Sequence, residues 1–253
     1  NKDGKSKKIV LEAEKGIIFR IQEVSEQIII KAIKEYIPHI YYGDYTSPRV
    51  PKGFIHIGGT WDTGFVIQNT ADGSEFVWIP VGCLDADGTL DGENFAEKLG
   101  RRKFDDSVFS DSECHEEINV EFLESVKTHG GFYFARYHAS IENEKLVFKK
   151  GKKSWVNIDY YGAEEVVEDY LKDNDNVGSI LPTGAAFDSV LSWLIKSGAK
   201  TYDEIAKDAT SWGNYNNSHK DRNYKGLQLT EKKEKWCANN IYDIAGNVDE
   251  WTS

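Results

Sequence analysis

The sequence has no methionine, few basic residues relative to acidic ones, and no apolar run near the ~20 residues that cross a bilayer. It carries 31 Lys and Arg against 42 Asp and Glu over 253 residues, a net charge of −11. Binding to a phosphate backbone requires a basic surface, so we expect no nucleic-acid partner. We likewise expect no membrane insertion. An acidic surface of this kind is compatible with divalent cations.

Cysteine is also scarce. Cys83, Cys114 and Cys237 are an odd number of thiols without metal-ligand spacing, so we expect unpaired thiols, although one disulfide remains open. The motifs of α/β-hydrolases, P-loop proteins and zinc proteases are missing. A Ser/His/Asp triad stays open, because its members lie far apart in a chain.

The composition is that of a globular protein, with 40% apolar and 13% aromatic residues and 22 glycines that indicate many turns. The run S-P-R-V-P-K-G-F at 47–54 predicts a boundary. We therefore expect an N-terminal appendage at 1–50 and one large domain at 51–253. Within the appendage the pattern predicts a strand at 17–21 and an amphipathic helix at 25–37, capped by Ser25.

The large domain mixes short extended runs with two helical patterns, which predicts an α+β fold with extensive irregular loops. Apolar spacing of three and four residues predicts two main helices, at 160–172 and 183–197, the second capped by Thr183 and ended by Gly198. Aromatic and β-branched runs bounded by turn residues predict the strands. These strands lie at 54–57, 64–68, 75–80 and 132–137.

A long loop is expected at 211–236, where aliphatic residues are few and no period is visible. Aromatic and asparagine side chains in such loops suit ligand recognition, because they combine contact area with adaptable hydrogen bonds. The candidate ligand-binding residues are Trp212, Tyr215, Asn216 and Tyr224. The alternative is a loop that covers the core, with Trp212 buried.

The last residues, 239–252, read N-N-I-Y-D-I-A-G-N-V-D-E-W-T. Together with earlier blocks in the same order, this segment resembles the formylglycine-generating enzyme family, also called sulfatase-modifying factors. The earlier blocks are E-F-V-W-I-P-V-G at 75–82, 132–137, 155–163, L-P-T-G-A-A-F at 181–187 and W-G-N at 212–214. The resemblance covers 51–253 and implies an elaborated C-type-lectin-like fold with short twisted strands. It is nearest to bacterial and phage lectin-like members, such as variable proteins of diversity-generating retroelements.

The terminal segment also predicts a calcium site. Calcium binds six to eight oxygens from carboxylates, carbonyls and water. Asp243 and Glu250 offer carboxylates, while Gly246 and Val248 offer carbonyls in a tight turn, and this spacing matches the loop calcium site of the family. The alternative is a turn whose carboxylates cap main-chain N–H groups.

The resemblance leaves the function open between classes. The family's paired catalytic cysteines belong to R-G-G-S-W and G-F-R blocks that do not occur here, and Asp249 replaces an expected Trp. We therefore favour a non-catalytic ligand-binding or display protein, with no catalytic residue assigned and a protein, peptide or carbohydrate as ligand. The alternatives are a copper-dependent oxidase that converts a client cysteine to formylglycine, or a structural phage or cell-surface component. A cell-surface, secreted or virion-associated location is favoured over the cytoplasm.

Overall fold

A computed structural model provides the structure of the chain. It describes residues 18–24, 27–33, 48–60, 63–81, 101, 119–206, 211–214 and 226–252, with backbone alone for the first two ranges. The chain divides into two compact units, residues 1–39 and 40–253.

The described part of the first unit is an antiparallel strand pair. Strand β1 (Ile18–Val24) pairs with β2 (Gln27–Ile33) in a register that runs from Ile18 opposite Ile33 to Val24 opposite Gln27. The amphipathic helix predicted at 25–37 is therefore wrong. The β-branched residues at 28–30 favour a strand, and β1 offers a partner that a sequence window does not reveal.

The second unit contains a four-stranded antiparallel sheet of order β3-β4-β5-β6. Its strands are β3 (Phe54–Gly58), β4 (Val66–Asn69), β5 (Glu75–Pro80) and β6 (Gly131–Ala135). All four were predicted, with bounds that differ by a few residues. Strand β6 ends before the predicted 137 because the chain bends at Arg136, whose carbonyl accepts a hydrogen bond from Tyr242 N–H.

The second unit also contains helices. They are α1 (Val120–His129), α2 (Tyr160–Tyr170), α3 (Gly184–Lys196), the short α4 (Tyr202–Ala206) and a 3₁₀ turn (Glu234–Trp236). The two predicted main helices are confirmed as α2 and α3. As expected, Thr183 caps α3 through a 3.0 Å bond from Ala186 N–H. Asp159, which was not predicted as a cap, caps α2 through a 2.8 Å bond from Gly162 N–H.

Two small antiparallel ladders complete the described elements. Strand β7 (Ser140–Glu142) pairs with β8 (Lys145–Val147), and β9 (Cys237–Ala238) pairs with β10 (Ile241–Tyr242). The second ladder leads directly into the segment that carries the predicted calcium site. Its position next to the sheet is set by the bond between Tyr242 N–H and the Arg136 carbonyl, 2.9 Å long.

The two faces of the sheet bury different apolar clusters. On one face, Val77 and Ile79 pack with Leu194 of α3, and on the other, Trp78 packs with Phe65. This alternation along β5 is what a strand covered on both sides requires. The fold is thus mixed α and β with small antiparallel sheets, as the sequence predicted at that level. None of the helices among the described residues has the length and apolar character of a membrane-spanning segment.

Candidate functional site

The segment after β9 turns sharply, through five residues in the left-handed region. Their φ angles are 44° at Asn239, 66° at Asn240, 59° at Asp243, 80° at Gly246 and 77° at Asn247. Asn, Asp and Gly are the residues that adopt this conformation at least cost. The sequence therefore dictates the compact turn at 243–250, and with it the positions of the predicted calcium ligands.

Asn247 links this turn to three other parts of the chain, at Asn214, Gln228 and Ser154. Its Oδ1 accepts hydrogen bonds from Asn214 Nδ2 at 2.7 Å and from Gln228 N–H at 2.9 Å. Its Nδ2 donates to Ser154 Oγ at 3.4 Å and to the Gln228 carbonyl at 3.3 Å. The structure thus brings the W-G-N block and the terminal block together through Asn214 and Asn247, which lie 33 positions apart in the chain.

Asp243 is the most buried acid of the turn, with 1% of its surface exposed. Its Oδ2 accepts a 3.1 Å bond from Glu231 N–H, while Oδ1 is buried and accepts no hydrogen bond from any residue that the structure describes. Burial raises the pKa of this carboxyl, and the nearby Glu231 and Glu250 add to the rise, whereas the Glu231 N–H and His138 oppose it. Burial of a carboxylate oxygen without a hydrogen-bond donor costs desolvation free energy, which a bound cation or a proton would offset.

The other predicted calcium ligands fit this requirement in part. Within the described chain, the carbonyls of Gly246 and Val248 accept no main-chain hydrogen bond. Glu250 Oε1 lies 3.0 Å from His138 Nε2, a close polar contact without the geometry of a hydrogen bond. No three His, Cys, Asp or Glu side chains converge as metal ligands among the residues described. The donor set therefore suits an ion that takes main-chain oxygens, such as calcium, better than a transition metal.

Trp212 does not lie on a recognition surface. Its side chain is 4% exposed, its Nε1 donates to the Glu204 carbonyl at 3.3 Å, and Lys200 Nζ lies 4.6 Å from the centre of its ring. Trp212 therefore belongs to the core, and its predicted surface role is wrong. The other predicted ligand residues, Tyr215, Asn216 and Tyr224, lie outside the described residues.

A groove of about 750 Å³ runs along β6 and was not predicted. Phe132 and Phe134 line it from one face of the sheet, and Tyr133 lines it from the other. All three side chains are only half-buried. The F-Y-F run of β6 was the available signal, because a strand that is aromatic on both faces needs cover on both.

The two ends of the groove carry opposite charge. Near the start of β6 it is lined by Arg49, whose carbonyl accepts a 2.9 Å bond from the Tyr133 hydroxyl, and by His129. Beyond the end of β6 it is lined by His138 and by the acids Asp249 and Glu250 of the turn. Among the described residues, Arg49 gives one end of the groove a positive charge, and Asp249 and Glu250 give the other end a negative charge.

Trp251 forms part of the groove wall next to the acidic end. Its Nε1 donates to the Ile158 carbonyl at 3.0 Å, and its ring meets that of Tyr160 edge to face, with centres 6.2 Å apart. The side chain is nevertheless 47% exposed. The turn at 243–250 and the groove are thus adjoining parts of one site.

Cys237 is half-buried beside the hydroxyl of Tyr242. Burial raises the pKa of the thiol, which keeps it protonated at neutral pH. Cys83 and Cys114 lie outside the described residues.

Comparison with known proteins gives no relative for this chain: no protein-family model matches it, and neither the curated proteins nor the solved structures include a significant match.

Proposed function

We propose that the chain is a non-catalytic ligand-binding or display domain of the formylglycine-generating-enzyme and C-type-lectin-like type, in which calcium stabilises the turn at 243–250. The groove along β6 is the observation that carries this proposal. Its volume of about 750 Å³ lies in the range of ligand-binding clefts. Its aromatic lining with a few polar groups at the ends is also typical of such clefts.

Calcium would act on the groove through the turn. Asp243 and Glu250 would supply carboxylate oxygens, and Gly246 and Val248 would supply carbonyls. Val248 and Glu250 also line the groove. A cation that fixes the turn would therefore fix one wall of the ligand site, and it would offset the cost of the buried Asp243 carboxylate.

The oxidase alternative has less support. Conversion of a client cysteine requires a reactive thiolate, usually in an electropositive and accessible site. Cys237 has the opposite environment, since burial raises its pKa. No contact of the described residues favours this reaction, so the binding role is the function that we propose.

The experiment is a thermal melt of chelator-treated protein with and without calcium. Binding to the folded state alone at a hundred times the dissociation constant stabilises it by about 2.7 kcal/mol. For a chain of this size that corresponds to a Tm increase of about 5–10 °C. Asp243→Ala should abolish the increase, because it removes the buried carboxylate.

Asp249→Ala is the matched control. Asp249 is an exposed acid of the same turn that is not among the proposed ligands, so this variant should retain the increase in Tm. Equal melting curves in calcium and in chelator, or equal effects of both substitutions, would count against the calcium-stabilised turn.

A further inference from the structure

The alternation of hydrogen bonds between β6 and β5 determines which backbone groups of β6 face away from β5. Arg136 N–H donates to the Glu75 carbonyl and Val81 N–H donates to the Gly130 carbonyl, both at 2.9 Å. In an antiparallel pair these bonds occur at every second residue, so the even-numbered residues of β6 bond to β5. The intervening residues direct N–H and C=O away from β5. These outward-facing residues are Gly131, Tyr133 and Ala135.

This outer edge of β6 has no partner in the part of the chain that the structure describes. β6 is the last strand in the order β3-β4-β5-β6, and no main-chain hydrogen bond between described residues reaches Gly131, Tyr133 or Ala135. An edge with unpaired N–H and C=O groups is a template for another strand. It also lies within an apolar groove, where unpaired polar groups are costly.

The groove leaves room on both faces of this edge. Phe134 lies on the face that carries Phe187, with the two ring centres 6.1 Å apart. Tyr133 lies on the opposite face against Trp78, with ring centres 5.0 Å apart. All four residues line the same groove. A strand placed beside β6 would therefore bury its side chains on both faces, which requires a continuous apolar run.

We propose that the groove is a strand-acceptor site, in which an extended segment of a partner polypeptide adds to β6 through main-chain hydrogen bonds. The segment is about five residues long to match β6, and apolar on both faces. The opposite charges at the two ends of the groove select a basic residue beside Asp249 and an acidic residue beside Arg49. This inference rests on the proposed binding role and specifies its ligand.

The probe is an acetylated and amidated peptide of sequence E-V-F-V-I-V-K, measured by calorimetry against the whole protein. The control is the same peptide methylated on the backbone nitrogens of its three central residues, which leaves the side chains unchanged but removes donors on both edges. We expect the control to bind at least about tenfold more weakly, since several main-chain bonds are lost.

Ala135→Pro tests the protein side of the same bonds. The Ala135 N–H faces outward, so proline removes a donor that β5 does not use, a position at which edge strands accept proline. Binding should be lost in this variant and retained in Ala135→Ser, which keeps the N–H.

A measurement on the unaltered protein covers the case in which Ala135→Pro does not fold. Peptide binding should slow amide hydrogen exchange at Gly131, Tyr133 and Ala135, while Phe132 and Phe134, which already bond to β5, should change little. This alternation is specific to strand addition.

Three results would overturn the inference. Equal binding of both peptides would show that the groove binds the peptide without strand pairing, so the inference would fail while the proposed ligand-binding function would stand. Absence of binding by either peptide at about 1 mM, an affinity of only about −4 kcal/mol, would remove the acceptor site whatever the effect of calcium on Tm. Self-association that Ala135→Pro abolishes, without peptide binding, would identify a second copy of the chain as the occupant.

Discussion

Gly64 is a position where one added methyl group should damage the site, although it lies far from the site in sequence. Its φ is +95°, and a Cβ built there would lie 2.0 Å from the Asn239 carbonyl oxygen and 2.7 Å from its carbon. Real Cβ contacts below 3.0 Å are essentially absent from proteins. Gly64→Ala therefore has to displace the turn at 239–240 by about an ångström, since both atoms belong to backbone.

The displacement would break the contacts that fix this turn. Asn240 Nδ2 donates to the Gly64 carbonyl at 2.8 Å and to the Thr63 carbonyl at 3.2 Å. Left-handed backbone costs a non-glycine residue about 1–2 kcal/mol, and each lost hydrogen bond costs about 1 kcal/mol. We expect Gly64→Ala to lower the free energy of unfolding by about 3–4 kcal/mol. Asp243 follows this turn after the two residues of β10, so calcium-dependent stabilisation should weaken as well.

Gly151→Ala is the control that separates backbone strain from the steric clash of the added Cβ. Gly151 has a similar φ, +69°, but an added Cβ would have no atom within 4 Å. We expect a loss of about 1–2 kcal/mol from backbone strain alone. Urea denaturation of both variants at pH 7 gives the comparison. If the loss in free energy of unfolding for Gly64→Ala lies within about 0.5 kcal/mol of the loss for Gly151→Ala, less than the worth of one hydrogen bond, then the close approach to Asn239 does not affect stability.

Two further predictions concern charged groups. Arg136→Met removes the 2.7 Å ion pair with Glu75 and the 3.1 Å bond to the Asn240 carbonyl, both largely buried, so we expect a loss of about 3 kcal/mol in urea denaturation. Glu75→Gln, which keeps an acceptor, should lose less, and equal losses would contradict this account. Burial raises the pKa of Asp243 above its ordinary value of 3.8, so the folded state holds this proton more tightly than the unfolded state does. The resulting stabilisation is complete below pH 3.8 and is lost as the pH rises through the raised pKa. In chelator, Asp243→Asn should therefore gain in Tm relative to the unaltered chain between pH 4 and pH 7, and a constant difference between the melts would refute this.

Local signals were sufficient for several elements. Helix α3 was predicted from the cap at Thr183 and the apolar spacing after it, and β5 from its aromatic and β-branched run. In both cases the deciding interactions lie within the element itself. Helix α1 went unpredicted, because its apolar face of Phe122, Leu123 and Val126 spans little more than one turn.

The errors arose where a distant partner decides the outcome. The segment at 27–33 has enough apolar residues for either a helix or a strand, and its pairing with β1 decides. Trp212 lies among Asn and Gly as a loop residue would, yet Glu204 and Lys200 enclose it. The F-Y-F run of β6 indicates that both faces of this strand need cover, but the groove itself depends on β6 lying at the edge of the sheet, which only the fold shows.

The most direct test of the central claim is a calcium titration of chelator-treated protein followed by residue-resolved NMR. The claim is that a cation bound at Asp243 fixes the turn that forms one wall of the groove. We predict saturable shifts of the backbone amides at 243–250 and of the Trp251 indole N–H, all with one midpoint. Shifts that do not saturate, or that are confined to exposed acids such as Asp249, would contradict the claim.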